Sequence, residues 1–420
     1  MLKRIVTRVL LVCAGIAVAV VGAEAALQVA YPRLQGHPFS ADEYRAAIHA
    51  ASTASLSARP TRGRAGEDPR SLPTVIHPYL GFIPEPRKDG EFVIGEVDQI
   101  PPHSDGELVV GVFGGSFAAG MCAYAAKELH HVLSHQGKEA RVLCLAAGGF
   151  KQPQQLLTLA YLLAQGARFD LVLNVDGFNE VALPPSENKP QGVAPIYPRG
   201  WFWHVGNLED PEALKLLGEL ALTDRARQRW AAAVEDWGLY RSALLSLTWK
   251  SRDRLLEAQH DRILAELRAH KVEQRANYAA TGPSMTFADD EAYYAYLARV
   301  WKDSSLQMQR LCDANGIAYA HFLQPNQYVE GSKPMLPDEM TLITHPTPYK
   351  RPVVLGYPHL RRAGEELAAA GVNFHDLTMI FKDEPTKLYS DGCCHLNADG
   401  YNRVARTIGE TVDGTAHASR

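Results

Sequence analysis

The sequence predicts an α/β fold: a parallel β-sheet with helices on both faces, plus a helical insertion and an N-terminal apolar helix. Three observations predict it. From about residue 107, short continuous apolar runs alternate with helix-length stretches, the pattern of a sheet covered on both faces. After Pro184-Pro185 the alternation stops and long charged stretches with helical apolar spacing take over. At the N-terminus, a basic flank precedes an uninterrupted apolar run.

The leader comes first. Lys3, Arg4 and Arg8 precede the apolar run from Val9 to Ala23, then Glu24 interrupts before the softer stretch Ala25 to Ala30. A basic flank ahead of an apolar run is an export signal, and the positive-inside rule leaves the downstream chain on the far side of the membrane. Two fates fit. Ala23-Glu24-Ala25 matches an A-x-A cleavage site, or the run extends to Ala30 as a short signal-anchor, since about 20 residues cross the hydrocarbon. The expectation is therefore a single-pass membrane protein with its main domain extracytoplasmic (periplasmic), or a secreted one.

Residues 31–75 read as a stalk with one short helix near Ala41 to Ala51. Between His77 and Gln99, the runs Tyr79 to Ile83 and Glu91 to Val97 suggest a hairpin or covering loop. The α/β alternation then opens with a strand at Leu108 to Phe113 and a helix from Gly120 to Ser134. A strand at Ala140 to Leu145, a helix at Pro153 to Gln165 and a strand at Asp170 to Asp176 follow. Residues 183–205 read as a Pro-rich loop and 211–278 as long amphipathic helices, exemplified by Leu214, Leu217 and Leu220. The sheet pattern resumes with a helix at Asp290 to Asn315 and a strand at Ile317 to Leu323. A helix at Tyr357 to Ala370, a strand at Val372 to Leu377 and a helix from Ala398 to Val412 close the chain. The implied domains are 1–30 (signal or anchor), 31–105 (linker and extension) and 106–420, with 183–290 inserted into the last.

Composition is that of an ordinary globular protein, with 46% hydrophobic and 21% charged residues. The formal net charge is −4 with Lys and Arg spread along the chain, which gives no electrostatic basis for a nucleic-acid partner. No metal-ligand spacing and no nucleotide-binding loop is evident, and no cofactor is expected.

Three local clusters carry chemistry, each beyond a strand end or ahead of the last helix, where open parallel sheets put their crevices. In Gly114-Gly115-Ser116, the glycines allow a tight strand-to-helix turn, and Ser116 heads the helix, where the dipole favours an oxyanion. The bland alternative is an N-capping serine. In Asp176-Gly177-Phe178-Asn179-Glu180, the Asn179 amide can serve as an oxyanion donor, or the segment is a plain Asx turn. In Asp391-Gly392-Cys393-Cys394-His395-Leu396-Asn397, His395 can act as a general base with Asp391 fixing its tautomer. Taken alone, it is a surface-loop histidine, one of sixteen in the chain, with Asn397 capping the C-terminal helix. Ala118 occupies the second glycine position of a G-x-S-x-G elbow, so the α/β-hydrolase pattern fits poorly.

In this order on a parallel α/β chain, the three clusters resemble the SGNH (GDSL-like) hydrolases. The resemblance covers roughly residues 107–182 and 317–412 and implies a three-layer, flavodoxin-like sheet. It implies Ser116 as nucleophile, His395 as base and Asp391 as triad acid. The oxyanion hole would comprise the Ser116 N–H, the Asn179 amide and a backbone N–H at Gly149, with Gly148 as fallback. Gly115 stands where the family usually has Asp, and Glu180 where it has Asp. The terminal motif also departs, because Asp391 and His395 are four residues apart where the family has three. The resemblance implies an acyl-enzyme esterase acting on an acetyl or other short acyl ester, with an extracytoplasmic glycan as substrate. An O-acyltransferase to a glycan hydroxyl shares every one of these residues, and a non-catalytic envelope assembly protein could keep the fold alone.

Five cysteines lie beyond the leader: Cys122, Cys144, Cys312, Cys393 and Cys394. One disulfide is open to them in an oxidising compartment, but spacing does not assign it. Adjacent Cys393 and Cys394 rarely bond each other because their Cβ atoms point apart. Pairing of one of them with Cys122 is conceivable, and simple packing of buried thiols is the plainer expectation.

Overall fold

The computed structural model describes residues 2–53, 74–84, 94, 106–134, 138–205, 211–269 and 278–418. The chain divides into two compact units: Gly63–Gly206 with Arg275–Arg420, and Met1–Arg62 with Asn207–Gln274.

The first unit is α/β. A two-stranded antiparallel hairpin, β1 (Thr74–His77) and β2 (Gly81–Pro84), precedes the main sheet. Of the second run expected to cover this region, Glu91 to Val97, only Ile94 lies within the described residues, and it is buried. The main sheet consists of β3 (Glu107–Gly114), β4 (Glu139–Ala146), β5 (Leu171–Asp176), β6 (Ala318–Leu323) and β7 (Phe374–Asp376). All its pairings are parallel, in the order β4-β3-β5-β6-β7. The chain thus steps from β3 to one side and then to the other, so loops after β3 and β5 part at a switch point and leave a crevice.

Alternate side chains enter two cores, one on each face. Val109, Phe113, Val172, Tyr319 and Leu323 face one core. It is closed by α3 (Gln154–Ala164), α4 (Phe178–Leu183), α5 (Asp290–Ala314) and α6 (Lys350–Ala369). Val110, Val112, Leu173, Val175, Ala320 and Phe322 face the other. That core is closed by α1 (Ser116–Tyr124), α2 (Ala126–Leu133) and α7 (Ala398–Ala418). Burial on both faces is why these strands read as continuous apolar runs.

Local departures from the sequence reading have local causes. The helix expected from Gly120 to Ser134 is two helices, and the first begins at Ser116 itself. The break falls at Ala125, whose N–H still bonds the Met121 carbonyl. The helix expected from Tyr357 starts at Lys350 and carries Pro358 inside it; interior proline argues against a helix in sequence, but packing on the sheet overrides it. The Pro-rich loop contains a π-turn, Pro184–Asn188, and a short helix, Trp201–Val205.

The second unit is helical. It contains Leu2–Gln35, Ala41–Thr53, Pro211–Asp236 and Ala243–Ala269. Tyr31, Tyr44, Ile48, Val234 and Trp249 form its core, with Leu27 packed against them. Glu24, which interrupts the apolar leader, accepts the hydroxyl of Ser242 at 2.6 Å and the N–H groups of Ala243 and Leu244 at 2.8 and 3.0 Å. It therefore satisfies the open N-terminus of Ala243–Ala269. Glu24, Leu27 and Tyr31 thus make protein contacts within the stretch expected to extend a membrane span to Ala30. Among the described residues no helix is long and apolar enough to cross a membrane. The side chains of residues 1–13 lie outside the described residues.

Candidate active site

β3 ends in Gly114, whose φ of 148° suits only glycine, and an added Cβ would lie 2.2 Å from the Val175 carbonyl oxygen. The chain then turns into α1 with Ser116 as its first residue. Gly115 is required for space. A Cβ there would lie 2.2 Å from Asn179 Nδ2 and 3.1 Å from the Phe150 carbonyl oxygen.

Ser116 Oγ lies 2.9 Å from His395 Nε2, and His395 Nδ1 lies 2.5 Å from Asp391 Oδ2. These groups are 279 and four residues apart in sequence, and the fold brings all three together. The four-residue spacing is accommodated by the other oxygen of Asp391. Oδ1 accepts the backbone N–H groups of Cys393, Cys394 and His395 at 2.9, 3.1 and 3.2 Å. The carboxylate thus shapes the loop that returns the imidazole to its partner oxygen. A bridge between Tyr389 and Leu396, with the Ser390 N–H bonded to the His395 carbonyl at 2.9 Å, closes the base of the loop. Burial alone would raise the Asp391 carboxyl. The hydrogen bond and charge of His395 and the N–H groups of Cys393 and His395 outweigh it and hold the carboxyl below its ordinary value.

A second set of contacts holds the same loop from behind. After β6, Asn326 Nδ2 donates to the Cys393 carbonyl at 3.1 Å, Gln327 Nε2 to that of Asp391 at 3.0 Å, and the Tyr328 hydroxyl to that of Gly392 at 2.5 Å. The sequence reading missed these residues. The run Gln324-Pro325-Asn326-Gln327-Tyr328, polar yet largely buried just past a strand end, is the signal that could have found them.

The oxyanion candidates lie on loops after β4 and β5. Asn179 is buried, and its Nδ2 donates to the Phe150 carbonyl at 2.7 Å, which leaves the amide a second hydrogen. Gly149, with φ of 81°, is buried beneath Arg199, whose Cδ lies 2.5 Å from where a Cβ would be; Gly148 is exposed with open space around it. Arg199 Nε pairs with Glu187 Oε2 at 2.9 Å.

Glu180 ties these two loops together. One carboxyl oxygen accepts the Gly177 N–H at 2.8 Å, the other the Gln152 N–H at 3.0 Å. It is 4% exposed, and burial together with the charge of Asp176 pushes its carboxyl up to about 8. Behind it, Asp176 is a fully enclosed hub. It accepts Trp301 Nε1 at 2.6 Å and Asn174 Nδ2 at 2.8 Å, and it contacts His321 Nε2 at 2.9 Å. Ser305 Oγ bonds the far nitrogen of His321 at 2.8 Å. This second Ser-His-Asp chain is shut off from solvent and serves to satisfy buried polar groups. Lys151, also buried, donates to the carbonyls of Pro195 at 2.7 Å and of Tyr197. Burial pushes its ammonium down to about 7.

One disulfide forms, and Cys393 and Cys394 are free thiols. Cys122 on α1 is joined to Cys144 on β4, not to the pair beside His395. The sulfurs of Cys393 and Cys394 converge to 3.1 Å, although neighbouring side chains ordinarily diverge. With His395 they form a group whose candidate ligand atoms all lie within 4.8 Å. Both ring nitrogens of His395 are engaged by Ser116 and Asp391, so metal ligation would break the hydrogen-bonded chain.

No protein-family model matches the sequence, and no curated protein matches it either.

Proposed function

We propose that the chain is a serine-dependent ester hydrolase of the SGNH type, acting on a short acyl ester, such as acetyl, of an extracytoplasmic glycan. The observation that carries this reading is the continuous chain Ser116 Oγ, His395 Nε2, His395 Nδ1, Asp391 Oδ2 at 2.9 and 2.5 Å. The strand order, which is that of flavodoxin-like sheets, and the position of Ser116 at the β3/β5 switch point support it.

In the mechanism, His395 takes the Ser116 hydroxyl proton as the oxygen attacks the ester carbonyl, and Asp391 stabilises the resulting imidazolium. The N–H of Ser116 at the head of α1, the spare amide hydrogen of Asn179 and a backbone N–H of the Gly148-Gly149 turn receive the oxyanion. His395 returns its proton to the leaving alcohol, and water then attacks the acyl-enzyme. The basic flank and apolar run support an extracytoplasmic location, and the glycan is the substrate class fitted to that location.

A fluorophosphonate probe tests the reading. Wild-type protein is expected to be labelled at one serine, and Ser116→Ala to lose the label. Folded wild type that stays unlabelled would make this a fold retained for binding. The acceptor, water or a sugar hydroxyl, follows from whether the acyl group of a labelled donor appears as free acid or as a new ester.

A further inference from the structure

Outside the proton-relay chain itself, the most unusual chemistry in the α/β unit is the pair Cys393 and Cys394. Their sulfurs are 3.1 Å apart, with Cys394 buried and Cys393 partly open. A disulfide needs about 2.05 Å between sulfurs, so the pair is roughly 1 Å from bonding distance without any rearrangement of distant elements. The peptide joining them is held on both sides. Its N–H neighbours are bonded by Asp391, and the carbonyls of residues 391–393 are bonded by Gln327, Tyr328 and Asn326.

We propose that Cys393 and Cys394 form an oxidation site, converted in place to a vicinal disulfide by an oxidant of the disulfide class, and that ring closure loosens the loop that carries His395. The pair's own chemistry is independent of the esterase reading; only the effect on Ser116 rests on it. A disulfide-class oxidant would also form Cys122–Cys144 in this unit. Cys393, the more open thiol, loses its proton to solvent and its thiolate attacks one sulfur of the oxidant, expelling a thiolate. The deprotonated Cys394 then attacks Cys393 Sγ and expels the second. The pair loses two electrons and two protons, and the oxidant departs as two thiols.

Burial raises both thiols above their ordinary value, so the site disfavours thiolates, and a disulfide carries no charge at all. The product is nonetheless strained. Adjacent α-carbons sit about 3.8 Å apart across a trans peptide, below the 4.4–6.8 Å common in disulfides, and such bonds are readily reduced. Closing the ring turns the 393–394 peptide and withdraws N–H groups from Asp391 Oδ1. The same carboxylate positions the imidazole, so the disturbance reaches His395 directly.

The test uses the full chain with Cys122–Cys144 oxidised, equilibrated in glutathione buffers of graded poise, then quenched in acid and alkylated unfolded. In the fragment Leu388–Arg403, both cysteines are expected to resist alkylation in oxidising buffer and to react after mild reduction. If both alkylate at every poise that keeps Cys122–Cys144 oxidised, or if a bound metal ion accounts for their protection, the proposal falls. Amide hydrogen exchange at residues 393–395 is expected to quicken on oxidation, and unchanged exchange overturns the link to the loop. Fluorophosphonate labelling is expected to slow by about 10²-fold on oxidation, as for a displacement near 1 Å in a catalytic group. The Cys393→Ser/Cys394→Ser double variant should be labelled at a rate indifferent to poise. Absence of labelling in the reduced wild type would sink the esterase reading alone, while peptide mapping and exchange still decide this one.

Discussion

Asp391 divides its work between two oxygens, one for the imidazole and one for three successive backbone N–H groups. This explains how a spacing of four residues delivers an acid and a base to the same hydroxyl. The meeting of Ser116, His395 and Asp391 was legible because each sits in a short motif at a strand end or ahead of a helix. The grip on the loop was not, because Asn326, Gln327 and Tyr328 lie more than sixty residues away in sequence. Asn179 gives the sharpest residue-scale prediction. On the proposed esterase reading, its replacement by alanine should slow turnover by about 10²- to 10³-fold, the usual result of deleting an oxyanion donor. Stability should fall by only about 1 kcal/mol, since one hydrogen bond to Phe150 is lost. Steady-state rates and urea unfolding of the same preparation check both numbers.

Among the elements, β3 to β6 were legible in sequence because burial on both faces leaves continuous apolar runs. β7, only three residues long, was found through its setting after a helix, and with bounds too wide. The disulfide was illegible, since which sulfurs meet depends on how α1 lies against β4. Cys122→Ser with Cys144→Ser reopens a link between residues 22 apart, and is expected to cost about 3 kcal/mol in the chain-entropy account. Denaturant unfolding with and without reductant reads this directly. The loops after β4 and β5 make a pH prediction. Glu180 is raised from an ordinary 4.5 to about 8, so the folded protein keeps a proton that the unfolded chain has released across that range. Stability therefore falls as pH rises from about 4.5 to 8, through this group. Lys151, lowered from 10.5 to about 7, acts in the opposite sense, adding stability as pH rises above 7. Glu180→Gln should flatten the fall between mildly acidic and neutral pH, and unfolding midpoints compared across that range check it.

For the whole molecule, the chain closes one α/β unit from two separated stretches and pairs its beginning with its middle in the other unit. The sequence reading divided the latter among leader, stalk and insertion, because nothing in a helical repeat of apolar residues says which other helix it packs against. Glu24 makes the consequence testable. Cleavage after Ala25 removes the carboxylate that satisfies the head of Ala243–Ala269, at a cost of about 1–2 kcal/mol for a lost cap. Retention of the leader is therefore expected, and the intact mass of protein recovered from its native host decides between retention and cleavage.

Gly115 has a wider consequence. An acidic side chain ahead of the serine has no room in this packing. With Asn179 drawn up against the bare backbone, even a methyl at this position would push the amide away from the serine beside it.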